Sequence, residues 1–419
     1  VTALRGHAEG PTKIFAGLLA VVVGLLVLGV IMVLSASASL SVSTSDSVWS
    51  LFRGQLIWAA AGSLLMVLAI AVDYRHLRRF AVPLTVAAAA LMAAVQWSGL
   101  GLTFNGATRW LAIGPFSLQP SEIAKLALVV FVADLLSRPA RSIDDTRATI
   151  RPVLVVSGFF LLLLVLQPHL GAILVIGVMV AMMMFLAGAK LLHLAAISAC
   201  GLLVTGFMVL GTPWRRARFL AFRDPWADPA DTGFQQLQSL HAITVGGLDG
   251  VGLGDSRAKW GFLPYAHSDF IFAIIGEELG FIGATVVVFA YAAAAVLGFA
   301  AAMRAPDRFG MLLAVGITTW ITVQALINLG GVLALMPVTG VTLPFLSFGG
   351  SSLLVTLAAM GVLLNIAMSG QRSQPARAAA RRRPARAAAR RQPTRATARG
   401  QQAGASARRQ PPRATAGKR

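Results

Sequence analysis

Long apolar runs recur from Ile14 to Met368, many of them near the ~20 residues that a helix needs to cross a bilayer. No other feature constrains the fold as strongly. A chain of 419 residues with 57% hydrophobic and 12% charged side chains and a mean hydropathy of +0.74 cannot cover so much apolar surface in water. Soluble proteins carry roughly twice that charge fraction. A β-barrel would show alternating segments of ~10 residues, and none is visible. The pattern predicts an all-α polytopic membrane protein with about ten transmembrane helices. They are expected near 14–35, 52–72, 80–97, 118–136, 152–168, 170–188, 191–211, 269–302, 309–335 and 349–368. The eighth is long for one crossing, so its first two turns are expected to lie tilted or re-entrant before Gly280. The first run is too long for a signal-peptide core and lacks a small-residue cleavage site, so it is expected to stay as a span.

The bias of Lys and Arg orients the chain. Arg5, Lys13, Arg75, Arg78, Arg79, Arg138, Arg141, Arg147, Arg151, Lys190, Arg304 and Arg308 fall on one side, with the C-terminal tail. The opposite side has an uncharged 336–347 loop, Asp46 and Arg53 at the mouth of the second span, and Arg109 alone in 98–117. Both termini are therefore expected in the cytoplasm, with a large extracytoplasmic loop, 212–268, between the seventh and eighth spans. The expected organisation is a cytoplasmic N-terminus (1–13), a membrane domain (14–369) and a tail (370–419).

The tail carries 14 Arg and one Lys without an acid, which leaves 21 basic and 16 acidic residues for the membrane body. Its Arg/Ala/Pro composition cannot bury a core, so it is expected to be disordered. Attraction to anionic lipids is the simplest reading, and nucleic acid is not an expected partner. Cys200 is the only cysteine, so no disulfide within the chain is possible.

Several polar stretches interrupt the apolar pattern. LQPSEIAK (118–125) opens the fourth span with Pro120 in its first turn. It sets Glu122 and Lys125 three apart on one face, where they can pair. Ionisable groups inside a span are costly unless paired or wetted, so a structural ion pair and a substrate-facing role both stand open. GATRWLAIG (106–114) presents Arg109 and Trp110 in a turn-rich loop with Asn105. Outer-loop arginines at 215, 216, 218 and 223 suit an anion site, because a guanidinium binds phosphate with two parallel hydrogen bonds. GGLDGVGLG (246–254) follows no βαβ strand, which argues against a nucleotide fingerprint. Its glycines are expected to permit tight loop packing. Trp49 and Trp97 suit an interfacial aromatic belt, whereas Trp110 does not.

LPYAHSDFIFAIIGEELG (263–280) holds three carboxylates in a greasy stretch. On a helix starting near Asp269, the residues Asp269, Ala273, Gly276 and Gly280 share a face. A carboxylate at the membrane boundary suits a general base. Helix capping by Ser268 or Asp269 is the structural alternative. Glu277 and Glu278 are expected as buried groups that need a partner, Lys125 or Arg53. GVTLPFLSFGGSS (340–352) reads as a structural loop, with Ser351 and Ser352 capping the last span. His169 reads as a polar turn residue. No Cys/His/Asp cluster has metal-site spacing.

Taken together, ATRWLAIGPFSLQPSEIAK, QSLHAITVGGLDGVGLG, LPYAHSDFIFAIIGEELG and LPFLSFGGSS resemble the SEDS family of peptidoglycan polymerases, FtsW and RodA. The likeness runs from about residue 14 to 369, with the motifs in the same order. SASASL and LPFLSFGGSS look more like the division branch, FtsW, than the elongation branch, RodA. The resemblance implies a glycosyltransferase that polymerises lipid II at the outer face of the bacterial cytoplasmic membrane, at the division septum. It implies Asp269 as the catalytic residue. It implies Arg109, Trp110, Gln119, Ser121, Glu122, Lys125, Arg218, Gln238 and Ser239 as substrate-binding residues. The expected partners are lipid II, a class B penicillin-binding protein with transpeptidase activity, other divisome proteins, and anionic lipids at the tail. No resident metal is expected from the residues. A divalent cation, Mg2+ or Mn2+, is the alternative to Lys125 as a charge partner for the pyrophosphate. The chain departs from the family at His169, where QPDLG is frequent, at Tyr265 for a frequent Glu, and at Ser268 for a frequent Thr. A lipid II flippase, an elongation-type polymerase and a division scaffold remain the rival readings.

Overall fold

The computed structural model describes residues 9–44, 49–104, 107–114, 116–138, 149–211 and 213–391. Arg5, Asp46, Asn105, Arg141, Arg147 and the tail beyond Arg391 lie outside them. Clustering of contacts separates Val1–Gly370 from Gln371–Arg419.

In the first unit a helix forms in each expected span. In chain order these are α1 (Glu9–Thr44), α2 (Ser50–Ala71), α3 (Leu77–Trp97), α4 (Pro120–Ser137), α5 (Arg151–Leu166), α6 (Leu170–Ala187) and α7 (Leu191–Leu210). Two short helices follow, α8 (Pro213–Ala221) and α9 (Phe234–Gly246), then α10 (Ile271–Arg304), α11 (Arg308–Val332) and α12 (Gly350–Arg391). Among the described residues, seven helices are long and apolar enough to cross a membrane by length and composition. Of the others, α5 and α7 are shorter apolar helices, and α4 carries Glu122, Lys125 and Asp134. The protein is a polytopic helical membrane protein.

The centre of the bundle is α4, α6 and α11, flanked by α3 and α10, with α1 on α10. Close approach uses small residues, as expected where lipid and side chain are equally apolar. Gly361 of α12 leaves no room for a Cβ beside the Met66 carbonyl of α2. α12 runs on to Arg391, into the segment whose composition predicts disorder. Ala and Arg are strong helix formers, and a helix satisfies its own backbone without a core.

Two loops depart from expectation. The 98–117 segment is a three-stranded antiparallel sheet in the order β1 (Gly101–Phe104), β2 (Ala107–Ile113), β3 (Phe116–Leu118). Leu102 pairs with Trp110, and Leu111 with Leu118. The 212–268 loop carries α8 and α9.

α10 is broken at Gly280, whose φ of 65° and ψ of −168° leave the helical region. The half before it, Ile271–Leu279, is locked against the glycine loop. Val251 N–H donates to the Glu277 carbonyl at 3.0 Å and Phe281 N–H to the Gly247 carbonyl at 2.9 Å. A Cβ on Gly246, Gly250 or Gly280 would collide with the facing backbone. These glycines do permit the tight packing expected of them.

The same lock settles the two glutamates. Glu277 accepts from Ser256 Oγ at 2.5 Å, Arg257 N–H at 2.9 Å and Ala258 N–H at 3.3 Å. Glu278 pairs with Lys259 at 3.0 Å and accepts from Ser35 of α1 at 2.6 Å. Their partners are thus neither Lys125 nor Arg53, because the loop folds back and delivers its own donors.

Gly280→Ala is expected to lower the melting temperature by several degrees, because a side chain there meets both a left-handed φ and the Leu248 carbonyl. Gly24→Ala, at a helical position with nothing within 4 Å of a new Cβ, is expected to leave it unchanged or raise it. Thermal unfolding of the two purified variants checks the contrast.

Candidate active site

A cavity of about 670 Å³ opens where the first turn of α4, the α5–α6 turn, the segment before α10 and the α11–α12 loop converge. The ion pairs of Arg78 and Arg138 with Asp134, and of Arg75 with Asp307, gather at the opposite ends of these helices.

The floor of the cavity is the α4 motif. Lys125 Nζ lies 2.8 Å from Glu122 Oε1, with both side chains almost fully buried. Lys125 also donates to Gln324 Oε1 of α11 at 2.6 Å and sits 4.9 Å from the centre of the Trp320 ring. Glu122 accepts from Ser352 of α12 at 3.1 Å. Gln324 in turn donates to the Thr342 carbonyl at 3.0 Å. The ion pair therefore ties α4 to α11 and α12 and also lines the cavity. A buried pair persists only when its remaining donors and acceptors are met, and this network meets them. Ser121 is buried beside it and does not line the cavity.

Asp269, Ser268 and His267 form one wall. Asp269 precedes the helix: the N-cap is Phe270, without a side-chain cap. Asp269 is thus neither on the helical face expected for it nor a capping residue. Its backbone is held from outside instead. Asn328 of α11 donates from Nδ2 to the Asp269 carbonyl at 2.8 Å and to the Val341 carbonyl at 2.7 Å. Ser347 Oγ donates to the Ser268 carbonyl at 2.6 Å, and Phe348 N–H to the His267 carbonyl at 2.9 Å. The loop expected to be structural also shapes the site, but Ser351 and Ser352, expected to cap the last span, lie within the first turn of α12 and bind Gln119 N–H and Glu122. Burial holds the His267 ring below the ordinary histidine range.

Arg109 and Trp110 reach the cavity from β2. Arg109 Nε donates to the Gln167 carbonyl at 3.2 Å, and its Nη2 binds the Pro168 carbonyl. Gly340, with φ +70°, lies between the two walls. A Cβ built there would be 3.6 Å from Asp269 Oδ2 and 4.0 Å from Arg109 Nη1. A carboxylate and a guanidinium thus approach one point of the cavity, the equipment for moving a proton beside a developing anion.

Of the remaining residues expected at the site, Gln238 and Ser239 fall outside the cavity lining. Ser239 is fully buried on α9, and its hydroxyl donates to the Val332 carbonyl of α11 at 2.8 Å. Neither it nor Gln238 lines the cavity, whereas Gln235, one turn earlier, does. Arg218 belongs to α8, and its side chain and that of Arg215 lie outside the described residues; Phe219 of the same helix lines the cavity. Gln119 lines it with its side chain 2.9 Å from His169. Sequence reasoning missed Asn328, Gln324, Ser347 and His169. A polar residue in the span 309–335 was the available signal for the first two.

Among the described residues no three His, Cys, Asp or Glu side chains are grouped to hold a metal ion. Glu122 is committed to Lys125 and Ser352, which leaves Asp269 as the carboxylate at that point. The described residues do not form a cation cage of their own.

Residues 16–372 match the family model described as cell cycle protein, that of FtsW, RodA and SpoVE. The chain is 42% identical over 341 residues to stage V sporulation protein E of Bacillus subtilis, covering 81% of this chain and 93% of that protein. It is 38% identical over 346 residues to the probable peptidoglycan glycosyltransferase FtsW of Geobacter metallireducens, covering 83% and 92%. Among solved structures, a chain from work on structural coordination of polymerization and crosslinking by a peptidoglycan synthase complex matches with a TM-score of 0.69 and 32% identity, covering 85% of this chain and 98% of that one. The rod shape determining protein RodA of Thermus thermophilus matches with a TM-score of 0.62 and 30% identity, covering 84% and 96%. The match of the family model over most of the chain, with relatives of this identity and coverage, makes this protein a member of the FtsW, RodA and SpoVE family of cell cycle proteins.

Proposed function

We propose that the chain is a peptidoglycan glycosyltransferase that polymerises lipid II into glycan strands at the outer face of the cytoplasmic membrane, in septal division. The observation that carries this reading is the approach of the Asp269 carboxylate and the Arg109 guanidinium to one point of the cavity, at Gly340. Asp269 accepts the proton of the acceptor sugar's 4-hydroxyl as that oxygen attacks the anomeric carbon of the donor. The bond from that carbon to the lipid pyrophosphate breaks, its electron pair leaves with the phosphate oxygen, and the configuration inverts. The pyrophosphate is a good leaving group, so a general acid matters less than positive charge near the departing oxygen. Arg109 supplies that charge, with Lys125 behind it in the floor. Both substrates are held by lipid chains in the membrane plane, which adds a proximity contribution.

The relatives named FtsW favour division, and the synthase-complex structure favours a crosslinking partner, a class B penicillin-binding protein. Anionic lipid is the proposed partner of the basic tail. The test is a gel of glycan strands formed from labelled lipid II by the purified full chain and by its Asp269→Ala variant. Transbilayer movement of lipid II without strand formation would overturn the reading and make the chain a transporter.

Asn328 positions Asp269 through its main chain, so Asn328→Ala is expected to lower turnover by about 10²-fold, since ångström-scale misplacement costs that much. Substrate affinity should change less. Separate measurement of turnover and lipid II binding checks the split.

A further inference from the structure

His169 has no part in the reaction described above, yet it lines the cavity with its ring buried. It sits in the turn between α5 and α6. That turn is pinned, because a Cβ on the neighbouring Gly171 would collide with Val341. His169 Nδ1 accepts the backbone N–H of Ala172 at 3.4 Å, as the N-cap of α6. Ala172 is the third residue of that helix, where an N–H lacks an intrahelical partner. An N–H needs a lone pair facing it, so Nδ1 carries no proton.

A second proton on the ring is disfavoured. Burial, and then the charges of Arg109 and Lys125, hold His169 well below the ordinary histidine range. The positive end of α6 acts in the same direction. Among the described residues, the other charged groups lining the cavity are Glu122, paired with Lys125, and Asp269. The ring is therefore neutral, with its proton on Nε2.

That assignment decides the orientation of Gln119. The Gln119 amide lies 2.9 Å from His169 Nε2, and its nitrogen turned toward Nε2–H would oppose two donors. The nitrogen and oxygen of a glutamine amide occupy near-identical positions, and the hydrogen-bond network decides between them. The carbonyl oxygen of Gln119 must face Nε2–H. The NH₂ then takes the other arm of a side chain whose residue lines the cavity.

We propose that His169 is a positioning residue that turns the Gln119 amide so that its NH₂ donates to an acceptor oxygen of the lipid-linked substrate's head group. This rests on the reading of the cavity as the head-group site. The oxygen belongs either to the pyrophosphate or to the sugars. Arg109 and Lys125 nearby favour the pyrophosphate.

Two variants separate the two jobs of the ring. His169→Asn retains an acceptor for the Ala172 N–H and has nothing at the Nε2 position. His169→Gln brings an amide N–H to the Nε2 position and gives up the cap. Binding of lipid II, and of a polyprenyl pyrophosphate without sugars, is measured on the full chain in nanodiscs, together with the melting temperature. His169→Asn is expected to weaken lipid II binding about tenfold while melting as wild type does. His169→Gln is expected to melt lower while binding within about threefold of wild type. A loss seen with both probes assigns the oxygen to the pyrophosphate, and a loss with lipid II alone assigns it to the sugars. Wild-type affinity in His169→Asn, affinity that follows melting temperature across both variants, or a wild type that binds neither probe overturns the proposal. A wild type that binds with this pattern but forms no strands would overturn the proposed function and leave this inference standing.

Discussion

Asp269→Ala in the full chain is expected to slow glycan-strand formation by about 10²- to 10⁴-fold, the range for loss of a positioned general base. The variant should still fold, because Asn328 and Ser347 hold the main chain of residues 268 and 269 whatever the side chain at 269. It should still bind lipid II, because Arg109, Gln119 and the Glu122–Lys125 floor are untouched. Asp269→Asn is the sharper control, as it keeps the shape and removes only the ability to take a proton. It should be as slow as Asp269→Ala. Strand formation above a tenth of the wild-type rate in either variant would remove Asp269 from the role of base.

Lys259→Met is expected to cost about 3–5 kcal/mol of stability, the range for leaving one partner of a buried ion pair unpaired. Lys259 and Glu278 are both nearly inaccessible, with side-chain exposures of 2% and 0%. Lys259 Nζ also donates to Ser35 Oγ at 3.0 Å and to the Gly254 carbonyl. Among the described residues, its removal leaves Glu278 with the Ser35 hydroxyl as its remaining side-chain donor. The double variant Lys259→Met/Glu278→Gln removes both charges and should recover most of the loss. Thermal unfolding of the two single variants and the double variant reads the coupling. An additive double variant would show that the pair is not coupled.

These two residues show what could be read in the sequence and what could not. The helices were legible because span length is written directly in hydropathy. The break at Gly280 was foreshadowed by a segment too long for one crossing. The Glu122–Lys125 pair was legible because an i, i+3 spacing on a helix is local geometry. The pairing of Glu278 with Lys259 and Ser35 was not, since the three lie in a loop, a half-helix and α1. Only the folding-back of the glycine loop brings them together. The sheet at 101–118 was hidden by turn-forming residues, which mark reversals and not the strands between them. Asn328 was hidden because an amide in an apolar helix, even one four residues after Gln324, does not say what it binds, and its contacts are two carbonyls from other segments. His169 looked like a turn residue, and it is one. Its second role follows from which ring nitrogen meets the end of α6, a fact no sequence states.

Gly340 has a consequence for how such a site can vary. Its left-handed backbone suits glycine, and its absent side chain leaves Asp269 and Arg109 facing one open volume. The residue works as a spacer: the room beside the Asp269 carboxylate and the Arg109 guanidinium is kept by an atom that is missing. A methyl group there would have room, in ordinary van der Waals contact with both. Under the proposed mechanism it would narrow the space between the base and the cation. A side chain at this position would therefore meet a strained backbone as well as a narrowed cavity, and a change there would be felt in folding and in throughput together.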